Sequence, residues 1–172
     1  MNSKTLLSII CLIVVGFLSL GNGTSDSVVE EFKVNGNSLF PIIQDKENII
    51  IDKGYYNVHP INRNNIVLVQ FSWRENPLLK IVKAIPSDTI ELRESTNGFN
   101  VIVNNKVLKT SEGASYVFDG GSADMISLYI QDYNGIIPEN AYLVLGNRAS
   151  GTLDSTKFGL IDKSNIIGKL IR

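Results

Sequence analysis

A chain of 172 residues, 44% of them apolar, holds enough material for one compact domain with a real core and hardly for two. Its 16 basic and 17 acidic residues leave a formal net charge of −1 and form no basic run, which argues against nucleic acid as a partner. A single cysteine, Cys11, excludes an internal disulfide framework and a cysteine-based zinc site.

The chain opens MNSKTLLSIICLIVVGFLSLGNG, with Lys4 ahead of an apolar or small-residue stretch of 17 residues from Thr5 to Gly21. That length lies at the bottom of the range for a spanning helix and above the usual apolar region of a cleaved signal. Ser19 and Gly21 satisfy a loose cleavage rule, but the bulky Leu20 between them and the unbroken hydrophobicity favour a retained anchor over residues 1–23. Positive charge on the short N-terminal side keeps that end in the cytoplasm and puts residues 24–172 on the extracytoplasmic side of the membrane as a single-pass protein. Ile9 and Ile10 ahead of Cys11 speak against a lipoprotein signal.

Beyond a polar linker the pattern is one of strands: short runs rich in Ile, Val, Leu, Tyr and Phe, parted by Asn, Gly, Pro and Asp. They fall at 28–34, 48–53, 65–71, 78–85, 88–92, 99–103, 106–109, 125–130 (MISLYI), 141–146 and 166–171. Outside the anchor no apolar pattern of helical period persists for three turns, so a mostly β barrel or sandwich is expected. VIVNNKVLK reads as a hairpin with Asn104 and Asn105 at the turn.

Ser38, in NGNSLFPII, is a candidate nucleophile, and a serine hydroxyl needs an adjacent base. The sole histidine, His59, precedes Pro60 in a turn-like segment and reads as a surface residue. LLKIVKAIPSD holds two lysines in an apolar strand, where burial lowers a lysine pKa toward the range of a proton acceptor. Alternation puts Lys80 on the face of Leu78, Val82 and Ala84, and Lys83 with Leu79, Ile81 and Ile85. Spacing alone does not choose between the two lysines, and an edge strand with snorkelling lysines fits the segment equally well.

These residues resemble the type I signal peptidases, membrane-bound serine proteases with a Ser/Lys dyad. GNSLFP (36–41) is similar to the family's Gly-x-Ser-Met-x-Pro, with Leu39 for methionine, and KIVKAIPSD (80–88) to its Lys-Arg-Val-x-Gly-x-Pro-Gly-Asp. GNRASGTLDSTKFG (146–159) is similar to the third motif, matching at Gly146, Asp154, Ser155, Phe158 and Gly159. NNIVLVQF (64–71) and IIGKLI (166–171) also have counterparts. The resemblance implies a signal-peptidase-like β domain, Ser38 as nucleophile, Lys80 as base, Thr152 orienting the Lys80 amine, Asp154 and Ser155 as structural support, and no cofactor or metal. With glycine at position 36, the oxyanion hole rests on the Ser38 N–H and neighbouring backbone.

Ile81 and Thr156 stand where the family often has arginine, and Asn147 where it has aspartate. Asp154 therefore needs other partners, with Arg148 and Lys157 as the candidates. The implied substrate is an exported preprotein, its chain added as a strand between residues 31–37 and 77–80, with Phe32, Val34, Leu79 and Ile81 walling pockets for small side chains. Phe71 and Trp73 are either rim aromatics or a contact with membrane lipid. Two rival readings are a peptidase dedicated to one pilin or secretion-system substrate and an inactive exported β domain that binds or scaffolds.

Overall fold

A computed structural model describes residues 28–171. Eleven strands are present among them: β1 (Val28–Lys33), β2 (Asn48–Lys53), β3 (Ile66–Val69), β4 (Leu78–Ala84), β5 (Ile90–Ser95), β6 (Gly98–Val103), β7 (Lys106–Val107), β8 (Val117–Phe118), β9 (Ala141–Leu145), β10 (Ile161–Asp162) and β11 (Ile166–Leu170). Helices α1 (Tyr55–Val58), α2 (Gly120–Asp132) and α3 (Ser155–Phe158) lie between them. Seven strands form an antiparallel sheet in the order β1-β2-β11-β3-β4-β9-β10, and β5, β6, β7 and β8 form a second one. The expected β domain is thus observed. The expected N-terminal anchor lies outside the described residues, among which no helix is long and apolar enough to cross a membrane.

Local pattern explains much of this. In β2 the buried Ile49 and Ile51 alternate with exposed Asn48 and Ile50, as a half-covered strand requires. Asn104 and Asn105 take positive φ (49° and 62°) at the turn joining β6 to β7, where Val103 pairs with Lys106.

Two expectations are corrected. Residues 125–130 are helical, within α2, and not a strand. Asp119 caps that helix by accepting from the Ser122 N–H at 2.8 Å, and Ala123 and Ile126 bury their side chains with Val101, Tyr116 and Phe118. Tertiary packing overrides the β-prone composition of MISLYI. The second correction concerns β4, where the pairing with β9 shifts between Val82 and Ala84. The extra residue breaks the two-residue alternation, so Ile85 packs with Leu78 and Val82 while Ala84 joins the cluster around Tyr116.

Among the described residues three apolar clusters make up the core. One of them, Leu39, Ile43, Ile49, Ile51, Leu68 and Ile81, packs the segment after Ser38 onto the large sheet. Val34 closes the base of that loop, giving its N–H to the Glu47 carbonyl and accepting from the Lys46 N–H, both at 2.9 Å. The loop is therefore a fixed platform, anchored by Leu39 next to the serine.

Candidate active site

Ser38 sits one residue before that buried leucine, so its backbone is held while its side chain remains partly accessible. Gly36 has φ +101°, a conformation that a β-carbon disfavours, and its N–H donates to Asp45 Oδ1 at 2.7 Å. That bond, with Lys46 beside it, holds the Asp45 carboxyl below the usual carboxylate range. Three carbonyls of the loop are taken by one distant segment. Asn147 N–H donates to Ser38 O at 2.6 Å, Asn147 Nδ2 to Phe40 O at 3.0 Å, and Arg148 Nε to Asn37 O at 3.3 Å.

Lys80 reaches the same place from β4. Its Nζ lies 3.2 Å from Ser38 Oγ and donates to the Leu79 carbonyl at 2.8 Å. The side chain is 2% exposed. Burial lowers its pKa from 10.5 to about 8, Asp154 opposes that fall and Arg74 adds to it. A lysine so placed is neutral in a useful fraction near neutral pH and within reach of the serine proton. Lys83 goes elsewhere: its Nζ donates to the Lys109 carbonyl at 3.0 Å and lies 5.2 Å from the centre of the Tyr116 ring. His59 is exposed, stacks on Tyr55 at 4.2 Å and has Nδ1 2.9 Å from the Tyr55 carbonyl, with no contact to Ser38.

The 146–159 segment is built around Asp154, which is fully buried. Its Oδ2 accepts from Gly146 N (2.8 Å), Thr152 N (3.0 Å) and Thr152 Oγ1 (2.7 Å), and its Oδ1 from Thr156 N (3.0 Å) and Thr156 Oγ1 (2.8 Å). A buried carboxylate with five donors is satisfied without a cation. The anticipated partners are thereby replaced: Arg148 binds the Asn37 carbonyl, and Lys157 lies 3.9 Å from Asp119 and 3.4 Å from Ser122 Oγ. Thr156, standing where the family often has arginine, supplies a hydroxyl and an amide to the carboxylate. Ser155 Oγ accepts from the Val144 N–H of β9 at 3.0 Å, which ties the segment to the sheet.

Thr152 stands at the crossing of these parts. A β-carbon on Gly146 would lie 2.4 Å from Thr152 Oγ1 and 2.8 Å from the Ser38 carbonyl oxygen, so only glycine lets the three stretches of chain meet. Asn147 is 3% exposed and uses its whole amide: Oδ1 accepts from Ser111 N (2.8 Å), and Nδ2 donates to Ser111 Oγ (2.7 Å) as well as to Phe40 O. An aspartate could accept from Ser111 but could not make both donations. The departure at 147 thus has a structural use that the residue's identity alone did not disclose.

A cleft of about 330 Å³ opens beside Ser38 and Lys80. Phe32, Val34 and Leu79 line it together with Leu68 and Arg74. Ile81 does not line it; the residue is buried behind the cleft with Leu39 and Ile43.

Residues 4–172 match the family described as signal peptidase, peptidase S26. The chain belongs to that family of serine proteases. Signal peptidase IB of Staphylococcus aureus (strain N315) is 28% identical over 176 residues, covering 97% of this chain and 88% of the relative. Signal peptidase I of Bacillus licheniformis is 27% identical over 143 residues, covering 81% and 73% respectively. The crystal structure of a signal peptidase I from Enterococcus faecalis V583 superposes with a TM-score of 0.44 at 20% identity, over 66% of this chain and 98% of the other.

Proposed function

We propose that the protein removes signal peptides from exported preproteins with Ser38 as nucleophile and Lys80 as general base. The observation that carries the reading is the 3.2 Å approach of a buried lysine with a lowered pKa to the hydroxyl of Ser38. Neutral Lys80 takes the Ser38 proton as Oγ bonds to the scissile carbonyl carbon; the ammonium then gives that proton to the leaving amine as the C–N bond breaks. Water attacks the acyl-enzyme, Lys80 takes its proton, and Ser38 Oγ leaves with it. The Ser38 N–H faces the developing oxyanion, since the Gly36 N–H is engaged by Asp45. Thr152 acts on Lys80 through Asp154: its hydroxyl donates to Asp154 Oδ2, and the Asp154 charge favours the protonated Lys80 amine.

The substrate enters as an added strand. Among the described residues β1 ends the large sheet and pairs only with β2, and residues 78–80 of β4 pair with β3 on one side while pairing with β9 begins at Ile81. Two backbone edges are therefore open along the cleft, and Phe32, Val34 and Leu79 favour small side chains between them. Residues 1–23 anchor the enzyme and residues 24–172 act on the extracytoplasmic side. Trp73, 63% exposed and stacked on Phe71 at 5.0 Å, rests at the bilayer interface, with Phe158 buttressing Phe71 at 4.9 Å. No observation favours a pilin-dedicated peptidase, and the Ser38–Lys80 contact speaks against an inert scaffold.

The test is incubation of the full-length protein, in detergent or vesicles, with a preprotein bearing a signal sequence. Cleavage at the signal junction is expected, and Ser38→Ala should abolish it while unfolding stays within about 1 kcal/mol of the wild type. Undiminished cleavage by that variant would remove Ser38 from the mechanism. Protease added from the extracytoplasmic side should digest the β domain; protection would refute the topology.

A further inference from the structure

Among the described residues the cleft beside Ser38 is lined by three cationic side chains, Lys33, Arg74 and Lys80, and by no carboxylate. Lys80 is accounted for by the chemistry. Arg74 is not. It sits at the mouth of the cleft in the loop between β3 and β4, and that loop is braced: Arg74 N–H donates to Phe71 O at 3.2 Å, and Gln70 Nε2 donates to the carbonyls of both Phe71 and Arg74. Arg74 Nε donates to Asn76 O at 2.9 Å, which orients the guanidinium. Its terminal nitrogens meet no carboxylate among the described residues, although the side chain is half-buried. A guanidinium partly removed from water, held by its own Nε and lacking a counter-ion, is a receptor for an anion that arrives with the substrate. Lys33 is more exposed and adds to the positive field of the cleft without a fixed geometry.

We propose that Arg74 is a specificity-determining residue and that the cleft prefers substrates bearing an Asp or Glu side chain within a few residues of the scissile bond. The inference rests on the peptidase reading above and adds the chemistry of the substrate to it. An extended chain laid along β4 projects every second side chain toward the same wall, so a carboxylate at one position reaches Arg74 while its neighbours do not. The groups acting electrostatically on Lys80 are Asp154 and Arg74, which pull its protonation in opposite directions. A substrate carboxylate that neutralises Arg74 weakens one of these, so acidic substrates should be cleaved with a pH–rate midpoint somewhat above that of neutral ones.

A peptide series tests this, with a single Asp walked through the positions on both sides of the cut and Asn as the neutral isostere. At one or two positions Asp should raise kcat/KM over Asn by about fivefold, the size of a partly exposed charge pair, and added salt should shrink the difference. Arg74→Gln should remove the preference, Arg74→Lys should restore part of it, and Arg74→Glu should favour Lys at the same positions. Equal cleavage of Asp and Asn peptides throughout, or a preference that survives in Arg74→Gln, overturns the proposal and leaves the peptidase reading standing. Cleavage of no peptide at all tells against the peptidase reading. Binding of the labelled peptides to Ser38→Ala measures the preference without turnover: tighter binding of the Asp peptide supports the proposal, and equal affinities overturn it.

Discussion

Lys80 and Lys83, three residues apart in one strand, deliver their ammonium groups to different places: Lys80 to Ser38 at 3.2 Å, Lys83 to the Lys109 carbonyl and the face of Tyr116. Burial lowers the pKa of both, so a depressed pKa does not by itself mark the base, and the proposed mechanism takes Lys80 because it is the lysine within reach of Ser38. Lys80→Met should therefore be inactive and Lys83→Met largely active. Lys80→Arg should fail as well, because a guanidinium holds its proton throughout this range. The base must be neutral, so wild-type kcat/KM should rise with pH through about 8, the value to which burial brings Lys80. Retained turnover in Lys80→Met would reassign the base.

The same burial makes a stability prediction of opposite sign to the loss of activity. The folded-state pKa of Lys80 is about 8 against 10.5 for the free side chain, so between those values the unfolded chain binds more protons and stability rises with pH. Below pH 8 the cost of burying the ammonium is fully present, on the order of 3 kcal/mol. Lys80→Met removes it. Asp154 is satisfied by five other donors and does not depend on the lysine. The variant should resist urea better than the wild type at pH 7, by an amount that shrinks between pH 8 and 10.5. A variant less stable than the wild type at pH 7 contradicts this.

Asn147→Asp tests how the nucleophile loop is held. The change restores the residue that the family usually carries, yet here it deletes the donations to Phe40 O and Ser111 Oγ and leaves a carboxyl in a site 3% exposed. A loss of about 2–4 kcal/mol is expected, with kcat/KM down about tenfold because the Ser38 loop shifts. The deficit should deepen as pH rises and the introduced carboxyl ionises. Thermal melting and peptide cleavage at pH 6 and 8 measure both, and unchanged melting would mean that the loop does not rely on this amide.

How much of the fold and site is legible in the sequence follows from how far each determinant reaches along the chain. The residues of β2 and the Asn104–Asn105 turn declare themselves, because alternation and positive φ are local properties. α2 does not, since Asp119 lies outside the apolar run that it caps and the burial of Ile126 depends on Val101 and Tyr116. Choosing Lys80 over Lys83 takes the family register, as the bulge at Val82–Ala84 that breaks the alternation is set by the partner strand β9. The work of Asn147 is invisible for a similar reason: its partners Ser111 and Phe40 lie 36 and 107 positions away. Thr156 reads in the sequence as an absent arginine, whereas its value lies in a hydroxyl 2.8 Å from Asp154.

Gly146→Ala should injure the site through sterics alone. The added methyl would come within 2.8 Å of the Ser38 carbonyl and 2.4 Å of Thr152 Oγ1, and the first of these is backbone that cannot rotate away. Either Ser38 moves from Lys80 or the 146–152 stretch moves from Asp154. A cost of about 1–3 kcal/mol with at least roughly tenfold slower cleavage is expected, and full activity would show that the contact is slack.

Asp154→Asn separates support from electrostatics. The amide keeps the size of the side chain but presents its NH₂ to N–H and O–H donors that require an acceptor, so part of the five-bond cradle fails. The stability cost is on the order of 2–4 kcal/mol. The charge has a separate signature. Asp154 opposes the burial-driven fall of the Lys80 pKa, so its neutralisation lowers that pKa further and the rising limb of the pH–rate profile moves below about 8. Arg74→Gln removes a neighbouring cation and moves the same limb upward. Peptide cleavage between about pH 5 and 10 reads both shifts, and a profile for Asp154→Asn that is merely lower at every pH, with its midpoint unmoved, would reduce Asp154 to a scaffold for the 146–156 turn.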